Sequence, residues 1–216
     1  MIYVFDLDDT LYYEQTYVDS GFCAVDKFLE TNFGIKNSYT KMKEILQEQG
    51  RGKVFDTILR EYNIYSKSNV KRCLSTYRLH KPKISLADDA KILLEKLKNE
   101  KKYIITDGNK IVQNLKIEAL GLREIMQKCY ITHRYGKKHA KPAPYCFELI
   151  RKRENVTAQE IIYIGDNPRK DFVEIKKLGY RTARIYRGMF VDLNLDKEFE
   201  AEFKLKTLLD LLEIGV

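Results

Sequence analysis

Five short apolar segments, separated by patterns typical of amphipathic helices, constrain the fold of this chain more than any other feature. Short runs rich in β-branched and aromatic residues predict buried strands. The runs are 2–6, 102–107, 128–133, 160–166 and 181–187, and the helical patterns among and after them are 87–101, 110–121, 142–153, 168–179 and about 198–212. This alternation predicts an α/β fold with a mostly parallel sheet and right-handed crossovers.

One interval, from about Thr16 to Lys81, breaks the alternation because it contains no convincing strand. Three or four amphipathic helical patterns occupy it instead. We therefore predict a helical cap at 16–81, inserted after the first strand into an α/β core domain formed by residues 1–15 and 82–216.

The excess of positive charge lies in the same interval. The chain has a formal net charge of +8. Residues 36–83 contain 12 Lys and Arg against 4 Asp and Glu, whereas the rest of the chain has 27 of each. Such a segment attracts anions, such as phosphorylated metabolites or nucleic acid, although a solvated helical surface explains any single lysine equally well.

Composition places the chain among globular proteins. Its 216 residues can bury a sizeable core, and no stretch is long and apolar enough to span a bilayer. The first strand begins at Ile2 and meets charge at Asp6, which leaves no room for a signal peptide. The four cysteines form no CxxC motif. We expect a cytoplasmic protein with reduced thiols and no membrane partner.

Carboxylates follow three of the five predicted strands, and ligands of open α/β sheets collect at the carboxyl ends of strands. The stretches at these ends and in the loop after the third strand are Asp6-Leu7-Asp8-Asp9-Thr10, Thr106-Asp107-Gly108-Asn109, Gly165-Asp166-Asn167-Pro168 with Asp171, and Lys141-Pro142. Period two along a strand predicts that Asp6 and Asp8 share one side. Paired acids then divide into an ionised nucleophile and a proton donor, and oxygen ligands favour Mg²⁺ beside a substrate phosphate.

These stretches resemble the four motifs of the haloacid dehalogenase (HAD) superfamily, on its phosphatase branch. Asp6-Leu7-Asp8-Asp9-Thr10 matches the DxDxT motif, and Thr106 matches the Ser or Thr after the second strand. Lys141-Pro142 matches the third motif. Gly165-Asp166 with Asp171 matches the acidic fourth motif, with one extra residue between the acids. The motifs occur in the family's order and span nearly the whole chain.

The resemblance implies a Rossmann-like core with a five-stranded parallel sheet in the order 3-2-1-4-5. It implies that Asp6 attacks phosphorus to form an aspartyl phosphate, while Asp8 protonates the leaving oxygen and then activates water. Mg²⁺ would be held by Asp6, the Asp8 carbonyl, Asp166 and, in support, Asp171. Thr106 and Lys141 would contact the phosphoryl group, and Asp107 and Gly108 belong to the same predicted substrate-binding loop.

The resemblance also narrows the reaction. HAD dehalogenases lack the second acid of the first motif, so Asp8 favours phosphoryl chemistry. The helical insert resembles the family's C1 cap, which favours small phosphorylated metabolites such as a nucleotide or sugar phosphate. A phosphomutase would use the same residues. A binding protein whose basic cap docks nucleic acid or an acidic partner is the other alternative, and it depends on charge alone.

Several site residues keep a second interpretation. We expect Asp9 to have a role in a turn rather than in catalysis. Asp107 either caps the following helix or orders the site. Asn167 has a turn role or orders the metal loop. His133 and Arg134 either line the mouth of the site or lie on a solvated surface. The oligomeric state does not follow from the sequence.

Overall fold

The computed structural model describes residues 1–214, and its centre is a six-stranded sheet in which neighbouring strands run parallel. The order is β3-β2-β1-β4-β5-β6. The strands are β1 (Ile2–Phe5), β2 (Lys101–Thr106), β3 (Lys128–Ile131), β4 (Ile161–Gly165), β5 (Arg181–Ile185) and β6 (Phe203–Leu205). The α/β fold class and the order of the first five strands are confirmed.

The carboxyl-terminal segment differs from the prediction. β6 and a 3-10 helix, Leu208–Leu212, replace the helix expected at about 198–212. β6 extends the sheet beside β5, where Ile185 pairs with Leu205. The 3-10 helix begins at a capping box formed by Thr207 and Asp210. Of the leucines in this segment, Leu205 of β6 and Leu208 and Leu211 of the 3-10 helix are buried, whereas Leu212 is exposed.

The chain divides into two compact units. Residues 15–83 form a helical unit, and residues 1–14 together with the described residues from Ile84 onward form the core unit. The helical unit contains α1 (Glu14–Phe33), which begins one residue earlier, α2 (Ser38–Gln49), α3 (Val54–Glu61) and α4 (Lys67–Leu79). The interpretation of these helices as a cap that closes over a substrate stays a prediction.

The helical unit has its own apolar core. Phe22 and Leu29 of α1 are buried with Met42, Ile45 and Ile58 from the next two helices. Full burial of each such side chain contributes about 1.5–3 kcal/mol. None of the helices within residues 1–214 has the length and apolar composition needed to cross a membrane.

The helices of the core unit complete the α/β pattern that positions the strand ends. They are α5 (Asp88–Lys96), α6 (Lys110–Ala119), α7 (Leu122–Ile125), α8 (Tyr145–Glu154) and α9 (Val173–Lys177). Val4, Ile105 and Tyr163 from three adjacent strands form one apolar cluster with Phe147 of α8 and Ile175 of α9. β1 and β4 are buried along their whole length, as expected for central strands of a parallel sheet covered on both faces.

Candidate active site

The carboxyl ends of the three central strands bring the predicted motifs into one region of the core unit. Asp6 follows β1, Thr106 ends β2, and Asp166 follows β4, and these strands are neighbours in the sheet. The Asp6 backbone N–H donates to the Ile164 carbonyl at 2.8 Å, which continues the β1–β4 ladder by one residue. The sheet backbone therefore sets the position of Asp6.

Three buried carboxylates, those of Asp6, Asp166 and Asp171, form the centre of the site. Each offers an oxygen atom, and these three oxygens lie within 4.8 Å of one another. The Lys141 ammonium is 2.8 Å from Asp6 Oδ1 and 2.8 Å from Asp171 Oδ1. It also donates to the Tyr163 hydroxyl at 2.8 Å. The Lys141 ammonium thus contacts two of the three acids, and all three of its N–H groups have acceptors.

This surplus of negative charge, together with burial, shifts the pKa values of the clustered side chains. Burial, together with the charges of Asp171 and Asp6, raises the pKa of Asp166 to about 9. Burial also raises the pKa of Asp6 to about 6, although Lys141 opposes the shift. Burial disfavours the charged form of Lys141, but its two carboxylate neighbours hold the pKa of Lys141 well above its ordinary value. The cluster is therefore short of positive charge.

The chemistry of these donors fits a hard divalent cation. Three carboxylates supply oxygen ligands, the type that Mg²⁺ prefers. Among the side chains of residues 1–214, none donates a hydrogen bond to the Asp166 carboxylate, although this residue is only 4% exposed. A buried carboxylate without a donor is costly unless a charge compensates it. A cation beside Asp166 would provide that compensation.

Asp171 is fixed by the turn after β4 despite the extra residue in its motif. The backbone N–H of Asn167 donates to Asp171 Oδ2 at 2.9 Å. A side chain at Gly165 would come within 2.5 Å of the same oxygen, so only glycine permits this close approach. The Asn167 side chain accepts from the Arg169 N–H at 3.1 Å, which is a turn role.

Asp107 orders the loops around the site and does not cap the following helix. Its carboxylate accepts hydrogen bonds from the Thr132 hydroxyl at 2.7 Å and the Lys141 backbone N–H at 3.1 Å. Lys170 adds an ion pair at 3.1 Å. Asn109 caps α6 instead, through the N–H groups of residues 111 and 112. The capping interpretation of Asp107 was therefore wrong, because its carboxylate is engaged by the loops after β3 and β4.

Asp8 has a different set of partners from Asp6. Its Oδ1 atom accepts from the Lys116 ammonium at 2.6 Å and from the Tyr12 hydroxyl. Its Oδ2 atom accepts from the Gln113 side-chain amide at 2.7 Å. Burial alone would raise the pKa of Asp8, but Lys116 and these hydrogen bonds bring it below the ordinary value.

The period-two argument for Asp6 and Asp8 does not apply, because β1 ends at Phe5 and the chain turns after it. The Leu11 N–H already donates to the Leu7 carbonyl at 3.1 Å. The pKa values also differ from the expectation of an ionised nucleophile and a protonated donor. The pKa of Asp6, the predicted nucleophile, is raised, and the pKa of Asp8, the predicted proton donor, is lowered. At Asp6, burial outweighs the opposing charge of Lys141, whereas at Asp8 the Lys116 ammonium and the hydrogen bonds outweigh burial.

The residues that sequence reasoning missed lie on α6. Gln113 is 1% exposed and Lys116 is 3% exposed. Gln113 donates to Thr106 Oγ1 at 2.6 Å and also reaches the Asp107 carbonyl at 2.9 Å, and Gly108 packs against it in the same loop. A signal was available, because residues 113 and 116 fall at helical spacing with buried Ile117 and Leu120.

Asp9 lies in a turn, as expected, with a positive φ of 50°. Its carboxylate accepts from the N–H groups of Glu14 at 2.8 Å and Met189 at 3.2 Å. His133 and Arg134 line a cavity of about 490 Å³ with Lys110, Ile111 and Asn114. This basic cavity follows β3, and its use by a substrate stays a prediction.

Known proteins resemble this chain in sequence over most of its length. A family model described as haloacid dehalogenase-like hydrolase matches residues 3–185. Proteins named glyceraldehyde 3-phosphate phosphatase from Methanocaldococcus jannaschii and Pyrococcus furiosus are each 29% identical to this chain. The first alignment covers 98% of this chain and 95% of the relative, and the second covers 97% and 90%.

Solved structures agree on the fold. A HAD phosphatase from Thermococcus onnurineus superposes with a TM-score of 0.62 at 23% identity, covering 99% of this chain and 96% of the other. The Bacillus subtilis HAD-hydrolase YfnB, described as bound to magnesium, gives 0.66 at 19% identity and covers 99% and 97%. At these identities, the structures support a shared architecture.

Proposed function

This chain belongs to the haloacid dehalogenase-like hydrolase family, and from that premise we propose that it is a Mg²⁺-dependent phosphatase of a small sugar phosphate. One observation carries the proposal: the Asp6 carboxylate lies in a buried cluster with Asp166 and Asp171, and the Lys141 ammonium is 2.8 Å from it. Such a cluster provides a nucleophile, ligands for a cation and a fixed positive charge in one place. The substrates named for the archaeal relatives make glyceraldehyde 3-phosphate the first compound to test.

In the first step, an Asp6 oxygen forms a bond to phosphorus while the bond from phosphorus to the substrate's oxygen breaks. Asp8 gives a proton to the departing oxygen, so an alcohol leaves in place of an alkoxide. The Thr106 hydroxyl donates a hydrogen bond to the phosphoryl group. Lys141 holds Asp6 in place and offsets part of the charge around it.

In the second step, Asp8 removes a proton from water as the water oxygen attacks phosphorus. The bond between phosphorus and Asp6 breaks, which releases inorganic phosphate and restores the carboxylate. Mg²⁺, held by Asp6, Asp166 and the Asp8 carbonyl with support from Asp171, would neutralise charge on the phosphoryl oxygens. The release of phosphate separates this reaction from that of a phosphomutase.

The composition of residues 36–83 supports an anionic substrate, since this segment contains 12 Lys and Arg but only 4 Asp and Glu. Their number is greater than a single phosphate requires, so nucleotides and phosphorylated sugar acids belong in the test panel. The helical unit would then act as a cap that excludes water during the reaction.

The test measures inorganic phosphate released from glyceraldehyde 3-phosphate, p-nitrophenyl phosphate and the panel, with Mg²⁺ and with EDTA. We expect Mg²⁺-dependent release that Asp6→Asn lowers by at least about 10³-fold, because the substitution removes the nucleophile. Asp88→Asn is the matched control, since the Asp88 side chain is 93% exposed on α5. Activity that is equal in the wild type and in Asp6→Asn would contradict the mechanism.

A further inference from the structure

Both oxygens of the Asp8 carboxylate are held by side chains of α6 and of the turn after β1. Lys116 donates to Oδ1 at 2.6 Å, Gln113 donates to Oδ2 at 2.7 Å, and the Tyr12 hydroxyl adds a second donor to Oδ1. A carboxylate with fixed donors on both oxygens has one orientation. The family's motif contains Asp8 but none of these three partners.

The burial of the two α6 residues indicates that they have a purpose beyond the helix itself. Lysine and glutamine are mostly exposed in folded proteins. Lys116 and Gln113 are nevertheless almost completely buried on a ten-residue helix. Burying an ammonium is costly unless it is paired, and the acids that face Lys116 are Asp8 and, at 3.5 Å, Glu14.

Gln113 connects Asp8 to the residue expected to bind the phosphoryl group. Its side-chain nitrogen lies 2.6 Å from Thr106 Oγ1 and 2.7 Å from Asp8 Oδ2. Because the Thr106 oxygen accepts a hydrogen bond from this amide, its own hydrogen can point elsewhere. The same amide therefore contacts both the Thr106 hydroxyl and the Asp8 carboxylate, and it shares its two hydrogens with the Asp107 carbonyl as a third acceptor.

We propose that Lys116 and Gln113 are positioning residues, which hold Asp8 where it can transfer a proton to the leaving oxygen. The inference rests on the proposed function, since it assigns Asp8 the proton transfer. Lys116 acts on the reaction through Asp8, and it also pairs with Glu14 at 3.5 Å. Gln113 acts through Asp8 and also through the Thr106 hydroxyl, so the two residues have different effects on catalysis.

The leaving group distinguishes positioning of Asp8 from a general structural role. The alkoxide that leaves glyceraldehyde 3-phosphate is strongly basic and needs a proton, whereas p-nitrophenolate is weakly basic and needs little help. Loss of a general acid typically costs about 10²–10⁴-fold when a proton is required. A defect in folding or in phosphate binding would lower the rates of both substrates to a similar extent.

The experiment measures kcat/KM of the full-length protein with Mg²⁺ for these two substrates, because kcat/KM reports on the steps up to departure of the leaving group. For Lys116→Met we expect a loss of about 10²-fold or more with glyceraldehyde 3-phosphate and less than about tenfold with p-nitrophenyl phosphate. Lys116→Arg keeps the charge and should recover part of the selective loss. Gln113→Met should add a loss that is common to both substrates.

Tyr12→Phe tests the same inference with a variant expected to fold, because it removes one hydroxyl and keeps the ring. It should show a smaller loss with the same selectivity for the alkyl phosphate. Lys91→Met is the matched control, since it removes a half-exposed helical lysine that pairs with Asp88 at 2.9 Å. Circular dichroism should confirm that the helical content of each variant is unchanged.

The outcomes separate this inference from the proposed function. Equal losses on both substrates in Lys116→Met and Tyr12→Phe would overturn the positioning role while leaving the phosphatase intact. A wild-type protein that releases phosphate from neither substrate, or is unaffected by Asp6→Asn, would overturn the proposed function itself.

Discussion

The Lys141 ammonium lies 2.8 Å from the Asp6 carboxylate, and the two side chains are only 1% and 7% exposed. Lys141 is also the single lysine in contact with Asp171 among the described residues. Its charge therefore supports the arrangement of the acids as well as any chemistry at Asp6. The stability of the core unit and the activity should both depend on it.

Lys141→Met should lower the free energy of unfolding by about 3–5 kcal/mol, because it leaves buried carboxylates without their cation. Chemical denaturation at neutral pH in EDTA, followed by far-UV circular dichroism, measures this change. Lys138→Met is the control, since Lys138 is exposed in the same loop. A stability equal to that of the wild type would show that the acids do not need Lys141 for folding.

Asp166→Asn should change the response to Mg²⁺ in a characteristic way. In EDTA the variant should melt at a higher temperature than the wild type, because it removes one of three mutually repelling acids. Mg²⁺ at 100 times its dissociation constant would stabilise the wild type by about 2.7 kcal/mol, and the variant should lose most of this gain. Thermal unfolding with and without MgCl₂ measures both effects. A variant stabilised by Mg²⁺ as strongly as the wild type would exclude Asp166 as a ligand.

Gly188→Ala tests the turn that contains Asp9. Gly188 has a φ of +67°, and a Cβ atom there would overlap the Asp9 carboxyl group. Strain of this kind costs on the order of 1–3 kcal/mol, and the N–H of Met189 would lose its bond to Asp9. Urea denaturation should show this loss, whereas Gly52→Ala, where a Cβ atom meets nothing within 4 Å, should have a small effect.

Acidification should destabilise the helical unit through His80. Burial lowers the pKa of His80, although the Tyr77 carbonyl opposes the shift. Because that carbonyl accepts from Nδ1 at 2.7 Å, the Nε2 atom of the neutral ring accepts from the Ser20 hydroxyl. The folded pKa is below the unfolded one, so this stability is present above about pH 6.5 and is lost as the pH falls through the folded value.

The measurement is hydrogen exchange of α1 and α4 amides between pH 7.5 and 5, corrected for the intrinsic rate. Protection should fall with pH in the wild type and fall less in His80→Asn, which cannot gain the proton. His139→Asn, in the core unit, provides the control.

The sequence predicted the strands well, because central parallel strands are continuous apolar runs and their carboxyl ends are marked by acids. It missed β6 because Phe203–Leu205 is only three residues long and adjoins leucines at helical spacing. It placed Asp6, Asp166 and Asp171 at strand ends that the fold brings together.

The partners of Asp8 could not be predicted from the motif. Polar residues on a helix usually face solvent, and helical spacing with buried Ile117 and Leu120 is a weak signal that Lys116 and Gln113 are buried. Their burial depends on how α6 packs beside the end of β1, which is a tertiary property. The alternation rule also does not extend to Asp8, because β1 ends at Phe5 and a turn begins immediately after it.

The hydrogen bond from the Asp6 backbone to Ile164 makes Asp6, the proposed nucleophile, an extension of the rigid sheet. The orientation of the Asp8 carboxylate, two residues later, depends instead on the side chains of Tyr12, Gln113 and Lys116. Substitutions on α6 could therefore alter proton transfer by Asp8 without displacing the Asp6 carboxylate. In this architecture, the surroundings of Asp8, the proposed proton-transfer residue, can change in sequence independently of those of Asp6.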